Sequence, residues 1–304
     1  MKMRRLALLT ERRYVGSVVP EGDSYLANIL ADDGLLQAAL AMHDIDSVRV
    51  DWSEPTVDWS SFDAALFRTT WDYFDRFPEF SAWLAQAEKQ THLLNPTELL
   101  WWNVDKHYLA DLEARGVPIV PSRFLEKGSD TPLLTLLEES GWDEAVLKPC
   151  VSGGARHTYR LNQVTAANYD AITAELLQSE AMMLQPFITD IMAGGEDSLM
   201  VIGGKYTHAV RKIAKPGDFR VQDDHGGTVH PLTPSAAQIA FAEKAVAACN
   251  PMPLYARVDV VRDAAGNLAL MELELVEPEL WLRLCPAAAI ALARSVSGAL
   301  INLH

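Results

Sequence analysis

Short apolar runs alternate along this chain with stretches whose apolar residues recur every third or fourth position. "RRLALLT" near the start is of the first kind and predicts a β-strand. From about Tyr25 to Met42 the spacing turns helical, and "SVRVDW" predicts a second strand. "FDAALFRTT" predicts a third, ending in "WDYFDRF". "PEFSAWLAQAEKQ" has a proline near its start and helical spacing, and "HLLN" reads as a buried strand. This βαβαβ alternation over residues 1 to about 120 predicts a parallel sheet with helices on both faces.

The pattern then changes. "WNVDKHYLADLEARGVPIVPSRFL" predicts a helix followed by a strand with proline punctuation, and "TPLLTLLEESG" another helix. "EAVLKPC" predicts a strand running into a glycine loop, "VSGGARHTYRL", and "AMMLQPFI" a further strand. After "MAGGED" strands dominate, in "SLMVIGGKYTHAVRKI", "GTVHPL", "LYARVDVVRD" and "NLALMELELVE". A helix from Pro234 to Cys249 interrupts them, and "CPAAAIALARSVSGALINLH" predicts a terminal helix. The expected fold class is α/β (α+β) in three units, 1–120, 121–190 and 191–304.

Composition narrows the function. The chain has 304 residues, 49% apolar and 22% charged, enough for a sizeable core. A net charge of −15 argues against a nucleic-acid partner, because phosphate contacts need a basic surface, but allows a small anion held by local cations. No apolar run reaches about 18 residues, and no signal peptide or lipidation motif is present, so no membrane contact and a cytoplasmic location are expected. Cys150, Cys249 and Cys285 are odd in number and far apart, which gives no disulfide framework and no CxxC metal pair. "TERRYVGSVVPEGDSY" stands where a Rossmann fold would carry GxGxxG. The eight histidines form no HExxH and no GxSxG occurs, so neither a zinc site nor a serine hydrolase is expected.

Several stretches carry candidate chemistry. In "LKPCVSGGARHTYR" a strand delivers Lys148, and Ser152, Gly153 and Gly154 then expose backbone N–H groups that can approach phosphate oxygens. The lysine precedes the glycines, so this is not a Walker A loop, and a surface hairpin with a solvated lysine competes. "LQPFI" ends an apolar strand at Gln185, Pro186 and Phe187. Pro186 has no N–H, so a base edge read there would use a carbonyl near Gln185 and the Phe187 N–H; a strand end with a buried Phe explains the same residues. Arg211 and Lys212 in "HAVRKI" and Arg220 in "GDFRVQDDHGG" are either cleft cations or scattered surface charge. "FRTTWDY" sets Arg68, Trp71, Asp72 and Tyr73 at the carboxyl end of a sheet strand, where ligands bind, or else forms a Trp-anchored loop.

"YARVDVVRDAAGNLALMELEL" predicts a hairpin with its turn around Ala264 to Gly266. One parity of its second strand runs Leu268, Leu270, Glu272, Glu274, from apolar to acidic. A 263–266 loop sets Arg257 opposite Glu272, and a two-residue register change sets Asp259 there instead. In both registers Arg257, Asp259, Glu272 and Glu274 share one face. Three carboxylates beside one arginine suit a hard divalent cation, since Mg²⁺ takes carboxylates and substrate phosphates. An Arg/Glu surface ladder is the alternative.

The order of these motifs is more specific than any one of them. It resembles the ATP-grasp superfamily of carboxylate–amine ligases, which includes prokaryotic glutathione synthetases, over about residues 1–295. The resemblance implies an ATP-grasp fold, an N-terminal α/β unit followed by two α+β units clasping ATP. It implies phosphates held by Lys106 of "NVDKHYL", by Lys148 and by the loop from Ser152 to His157, adenine at Gln185 to Phe187, and ribose at Glu196 of "GGED". "VRKI…GDFRVQDDHGG" is similar to the superfamily's basic region, which implies Arg220, with Lys212 or Arg257, at the transferring phosphoryl group. Asp259, Glu272 and Glu274 match the magnesium residues, with two Mg²⁺ ions implied and Mn²⁺ an alternative; Glu274 replaces the usual Asn.

"FRTTWDYF", "KPCVSGGARHTYR" and "KPGDFRVQDDHGGT" resemble the subgroup that forms D-cycloserine. That resemblance implies a small amino-acid-like substrate, O-ureido-D-serine, phosphorylated to an acyl phosphate and cyclised with release of ADP and phosphate. An intermolecular amino-acid or peptide ligase and a non-catalytic nucleotide-binding protein stay open, as does a homo-oligomer.

Overall fold

The computed structural model describes residues 3–302, apart from Ser17, Pro216 and 218–225. Strand β1 (Arg4–Thr10) lies between β2 (Ile45–Asp51) and β3 (Ala64–Thr69), with β4 (His92–Leu94) outside β3, all parallel. The central strands β1 and β3 are nearly continuous apolar runs because both their faces are covered. Helix α1 (Ser24–Ala41) follows β1, its N-terminus capped by Asp23, which accepts from the Leu26 N–H at 2.9 Å. Helix α2 (Phe77–Ala87) follows β3.

The stretch read as one helix through Lys106 is two, α3 (Thr97–Asn103) and α4 (Tyr108–Ala114), with Lys106 in the break. The strand expected next shrinks to β5 (Arg123–Leu125). Residues 118–120 instead run beside Leu270: Val120 N–H donates to the Leu270 carbonyl and Leu270 N–H to the Pro118 carbonyl, both at 2.9 Å. Then come α5 (Leu133–Ser140), β6 (Glu144–Pro149), β7 (Tyr159–Asn162), α6 (Asp170–Leu176) and β8 (Met182–Pro186). The four strands form an antiparallel sheet in the order β5-β8-β6-β7. β7 and α6, at 4 and 7 residues, are too short to show a period in the sequence.

Helix α7 (Asp190–Gly194) leads into an antiparallel five-stranded sheet of order β11-β10-β9-β12-β13. Its strands are β9 (Glu196–Ile202), β10 (Lys205–Ile213), β11 (Thr228–Leu232), β12 (Tyr255–Arg262) and β13 (Leu268–Glu274). Helix α8 (Ala236–Ala247) starts at a Ser235/Gln238 capping box, and α9 (Pro286–Ile301) ends the fold. Among the described residues no helix is long and apolar enough to cross a membrane.

The β12–β13 hairpin pairs Arg257 with Glu274 and Asp259 with Glu272, then slips between Asp259 and Val260, so Met271 is an extra residue. This bulge corrects the expected parity. Leu270 packs with Leu273 and Leu275 against Ala242 and Val246 of α8, while Met271, Glu272 and Glu274 line the opposite side. One inserted residue separates leucines from glutamates that strict alternation would keep together.

A single core welds the first sheet to the last: Leu6, Leu8 and Leu66 share it with Met200, Tyr255, Leu292 and Val296. Asn95 reinforces the joint, its Nδ2 donating to the carbonyls of Tyr255 at 3.0 Å and Leu275 at 2.8 Å. The β5-β8-β6-β7 sheet buries its own set, including Leu133, Leu147, Leu161 and Leu184. It stands as a separate wall over the five-stranded sheet, and the site lies between them.

Candidate active site

A cavity of about 530 Å³ opens between the two antiparallel sheets, with loops of the N-terminal unit at one end. Strand β6 brings Lys148, the following loop its glycines, and β8 the turn from Gln185 to Phe187. Strands β9, β10, β12 and β13 supply a charged floor through Glu196, Lys212, Arg257, Asp259, Glu272 and Glu274.

The acids of that floor are partnered. Asp259 is 1% exposed and accepts from Ser198 Oγ at 2.6 Å, Lys212 Nζ at 3.0 Å and Arg257 Nε at 3.0 Å. Burial opposes its charge, but Arg257 and Lys212 outweigh burial and hold its carboxyl below the usual range. Arg257 also pairs with Glu274, and Lys212 with Glu196. Glu272 meets Lys106 Nζ at 2.9 Å; burial works against its ionisation, yet Lys106 and Lys148 bring its pKa below normal. Glu274 goes the other way, because burial plus the carboxylates of Glu272, Asp259 and Glu277 exceed what Arg257 offsets, and its pKa is pushed well up. One carboxyl oxygen each from Asp259, Glu272 and Glu274 lies within 4.8 Å of the other two. Hard oxygens this close fit a divalent cation such as Mg²⁺, and a cation there would relieve the negative excess around Glu274.

Lys106 reaches two ways. Its Nζ also donates to the Ser152 carbonyl at 2.7 Å and its N–H to the Cys150 carbonyl at 2.9 Å, which stitches the α3–α4 break to the glycine loop. Lys148 is half-buried in the same space; burial, with the nearby Lys106 charge, lowers its pKa against the pull of Glu272. The loop is tight. Gly154 (φ 56°), Ala155 (φ 59°) and His157 (φ 46°) are left-handed, and a Cβ on Gly153 would lie 2.6 Å from the Phe74 ring. Arg156 tethers the loop to Glu180 through bonds of 2.8 and 2.9 Å.

On the opposite wall Gln185 is buried, its Nε2 donating to Ser122 Oγ at 3.0 Å. The Phe187 N–H donates to the Glu144 carbonyl at 2.9 Å, which corrects its expected use as a base-edge donor. Arg160 lies 3.7 Å over the Phe187 ring while its guanidinium is bidentate to Glu144, so the ring is braced from behind.

Of the residues in "FRTTWDY", Trp71 and Tyr73 line the cavity. Trp71 donates its indole N–H to the Glu277 carbonyl at 2.9 Å and packs with Tyr14 and Tyr25 at centroid distances of 5.7 and 5.9 Å. Arg68 and Asp72 do not line it, which corrects their expected place. Arg68 shares the strand face of Ala64 and Leu66 that packs on α1, and pairs there with Asp33 at 2.9 Å. Asp72 accepts from Trp52 Nε1 at 2.7 Å and pairs with Arg76 at 2.6 Å. Lys212 and Arg257 reach the cleft, each bound into the acids; Arg220 lies outside the described residues. Arg156, within the expected phosphate loop, lines the cavity, and Arg13, Phe74, Glu277 and Trp281 also line it and were not foreseen. Glu277 was hidden because β13 ends at Glu274, leaving no period to mark it. Burial, assisted by Glu272 and opposed by Lys106, pushes its carboxyl up to about 7.

A cleft between two antiparallel sheets that gathers two lysines, a glycine loop and three hard-oxygen donors is that of an ATP-grasp ligase. Residues 6–95 match the D-cycloserine synthetase DcsG N-terminal domain, and residues 128–270 the prokaryotic glutathione synthetase ATP-grasp domain. The chain is 33% identical over 265 residues to the cycloserine biosynthesis protein DcsG of Streptomyces lavendulae, spanning 81% of this chain and 86% of that protein. The crystal structure of D-cycloserine synthetase DcsG matches with a TM-score of 0.84 at 31% identity, over 97% of this chain and 99% of that one. D-alanine–D-alanine ligase from Bacillus anthracis complexed with ATP shares the fold, with a TM-score of 0.67 at 15% identity, over 100% of this chain and 98% of that one. The chain belongs to the D-cycloserine synthetase family of ATP-grasp ligases, enzymes that form C–N bonds using ATP and divalent metal ions.

Proposed function

We propose that this chain cyclises O-ureido-D-serine to D-cycloserine with ATP. One observation carries the proposal: a single cavity sets the acidic triad beside Lys106, Lys148 and the glycine loop and ends in aromatic side chains of the N-terminal unit. The name of the 33%-identical relative supports the choice of substrate. Asp259, Glu272 and Glu274 would hold two Mg²⁺ ions, with Mn²⁺ as an alternative. Such ions neutralise triphosphate charge when bound.

Lys106 exchanges Glu272 for a phosphate oxygen, and Lys148 holds a second. The loop from Ser152 to His157 covers the phosphates and excludes water from the acyl phosphate. Adenine lies at Gln185 to Phe187, against the ring of Phe187, and ribose at Glu196. Arg220 meets the transferring phosphoryl group, while Lys212 and Arg257 position the acids. The γ-phosphoryl passes to the substrate carboxylate, leaving ADP. The aminooxy nitrogen then attacks the acyl carbon, phosphate departs, and water removes the carbamoyl group as carbamate. Glu277, with its carboxyl near neutrality, takes the proton that the nitrogen gives up. The nucleophile is tethered, so the entropy of bringing two reactants together is already spent. Tyr14, Tyr25, Trp71 and Tyr73 enclose the substrate end. The three-unit division 1–120, 121–190 and 191–304 and a cytoplasmic location complete the proposal.

ADP release tests it. O-Ureido-D-serine alone should give ADP and D-cycloserine, detected by mass. ADP that appears only with an added amine would mean an intermolecular ligase. No ADP with any small amino-acid carboxylate would mean a nucleotide-binding protein.

A further inference from the structure

We propose a second metal site, for a borderline divalent cation such as Zn²⁺, formed by Asp105, His107 and Cys150 beside the α3–α4 break. One ligand atom from each lies within 4.8 Å of the other two. The donors are oxygen, nitrogen and sulfur, which favours Zn²⁺ over the Mg²⁺ that suits the three carboxylates of the cleft. No sequence spacing announces this group. It forms because the Lys106 N–H donates to the Cys150 carbonyl at 2.9 Å, drawing the break against the end of β6.

His107 is the decisive residue. Its Nδ1 lies 2.5 Å from Asp105 Oδ1 and its Nε2 3.0 Å from Glu126 Oε1. A neutral imidazole carries one N–H and can satisfy one of those oxygens; its other nitrogen then aims a lone pair at a carboxylate. Positive charge must therefore sit on the ring or between the ring and Asp105. The ring cannot turn away freely, because it stacks on Phe124 at 4.2 Å and 25°. A carboxylate accepting from Nε2 is the arrangement that orients a histidine toward a metal through its other nitrogen.

Cys150 favours the metal over the proton. It is 1% exposed, and its thiol makes no hydrogen bond among the described residues. An imidazolium between two carboxylates would leave that sulfur unused, whereas a cation at Nδ1 would take it as a third ligand. The side chains of Asp105 and His107 are 43% and 36% exposed, so an ion can enter from solvent with the sulfur as the floor of the site. Three protein ligands leave a fourth position for water. Asp105 and His107 bracket Lys106, and Cys150 lies two residues from both Lys148 and Ser152, so the ion would clasp both lysine-bearing segments from behind.

Co²⁺ is the probe, added without ATP to the full chain after removal of metal with a chelator. One equivalent should produce a thiolate-to-cobalt charge-transfer band. The band should vanish in Cys150→Ala and in His107→Gln. It should persist in Glu272→Gln, whose site contains no sulfur. Glu126→Gln, an exposed change, should weaken Co²⁺ binding about 10–100-fold. If Cys150→Ala does not fold, His107→Gln decides. No band in the unaltered chain, a band that survives His107→Gln, or unchanged affinity in Glu126→Gln would overturn the proposal.

Discussion

Two clusters of buried charge have nearly the same local chemistry, and one of them faces a cavity. In the N-terminal unit Asp33, 1% exposed, pairs with Arg49 and Arg68 at 2.9 Å each. In the cleft Asp259, as deeply buried, pairs with Lys212 at 3.0 Å and Arg257 at 2.9 Å. Each is a carboxylate between two cations. Asp33, however, is closed in by α1, β2 and β3 and has cations in excess. Asp259 opens on a space where Glu272, Glu274 and Glu277 put acids in excess. Buried pairs stabilise little on balance, since desolvation offsets their attraction. The closed cluster therefore acts as a structural brace. The open one keeps an unbalanced charge that an incoming cation can satisfy. Access and net charge mark the site, and burial of ions does not.

Asp33→Asn should separate the two clusters most strongly. It removes the carboxylate paired with two buried guanidinium groups and should cost about 3–5 kcal/mol of stability. The specific activity of the remaining folded enzyme should not change. Denaturant unfolding with parallel assays checks both, and a large fall in kcat would mean that the cluster is coupled to the cleft. Glu272→Gln should do the reverse, lowering kcat about 10²–10³-fold while leaving the unfolding midpoint close to that of the unaltered chain. Full turnover in that variant would remove Glu272 from the metal site.

Gly153→Ala tests how tightly the loop closes. Its new Cβ meets the Phe74 ring, an overpacking worth about 1–3 kcal/mol, expected as a raised KM for ATP. Phe74→Leu in the same chain should relieve it, and an unmoved KM would place the loop away from the nucleotide. The smallest effect is one of pH. Glu277 rises from an ordinary 4.5 to about 7, so between those values the folded chain binds more protons than the unfolded one. Its contribution to stability therefore falls as pH rises through that window and levels off above it. The melting temperature of the unaltered chain minus that of Glu277→Gln should decline from about pH 4.5 to 7; a flat difference would place Glu277 in solvent.

Much of the fold was legible in the sequence. β1 and β3 showed as continuous apolar runs, α1 through helical spacing, and the long strands β9, β10, β12 and β13 as the strand-dominated stretch after "MAGGED". β7, α6 and α7 were missed because a few residues complete no period. Lys106 was expected on a helix and lies in a break, since caps and breaks depend on what packs beneath them.

By itself, then, the sequence determined the longer elements and their order, and that Arg257, Asp259, Glu272 and Glu274 share a face. Those properties follow from local periodicity, turn chemistry and the pleat of a strand. Only the tertiary structure decided that Met271 forms a bulge, that Arg68 turns to α1, that the Phe187 N–H is taken by Glu144, and that Glu277 reaches the cleft. It also decided that Asp105, His107 and Cys150 meet. Each of these depends on partners far apart in the chain and on the cost of leaving buried polar groups unpaired, which no local pattern records.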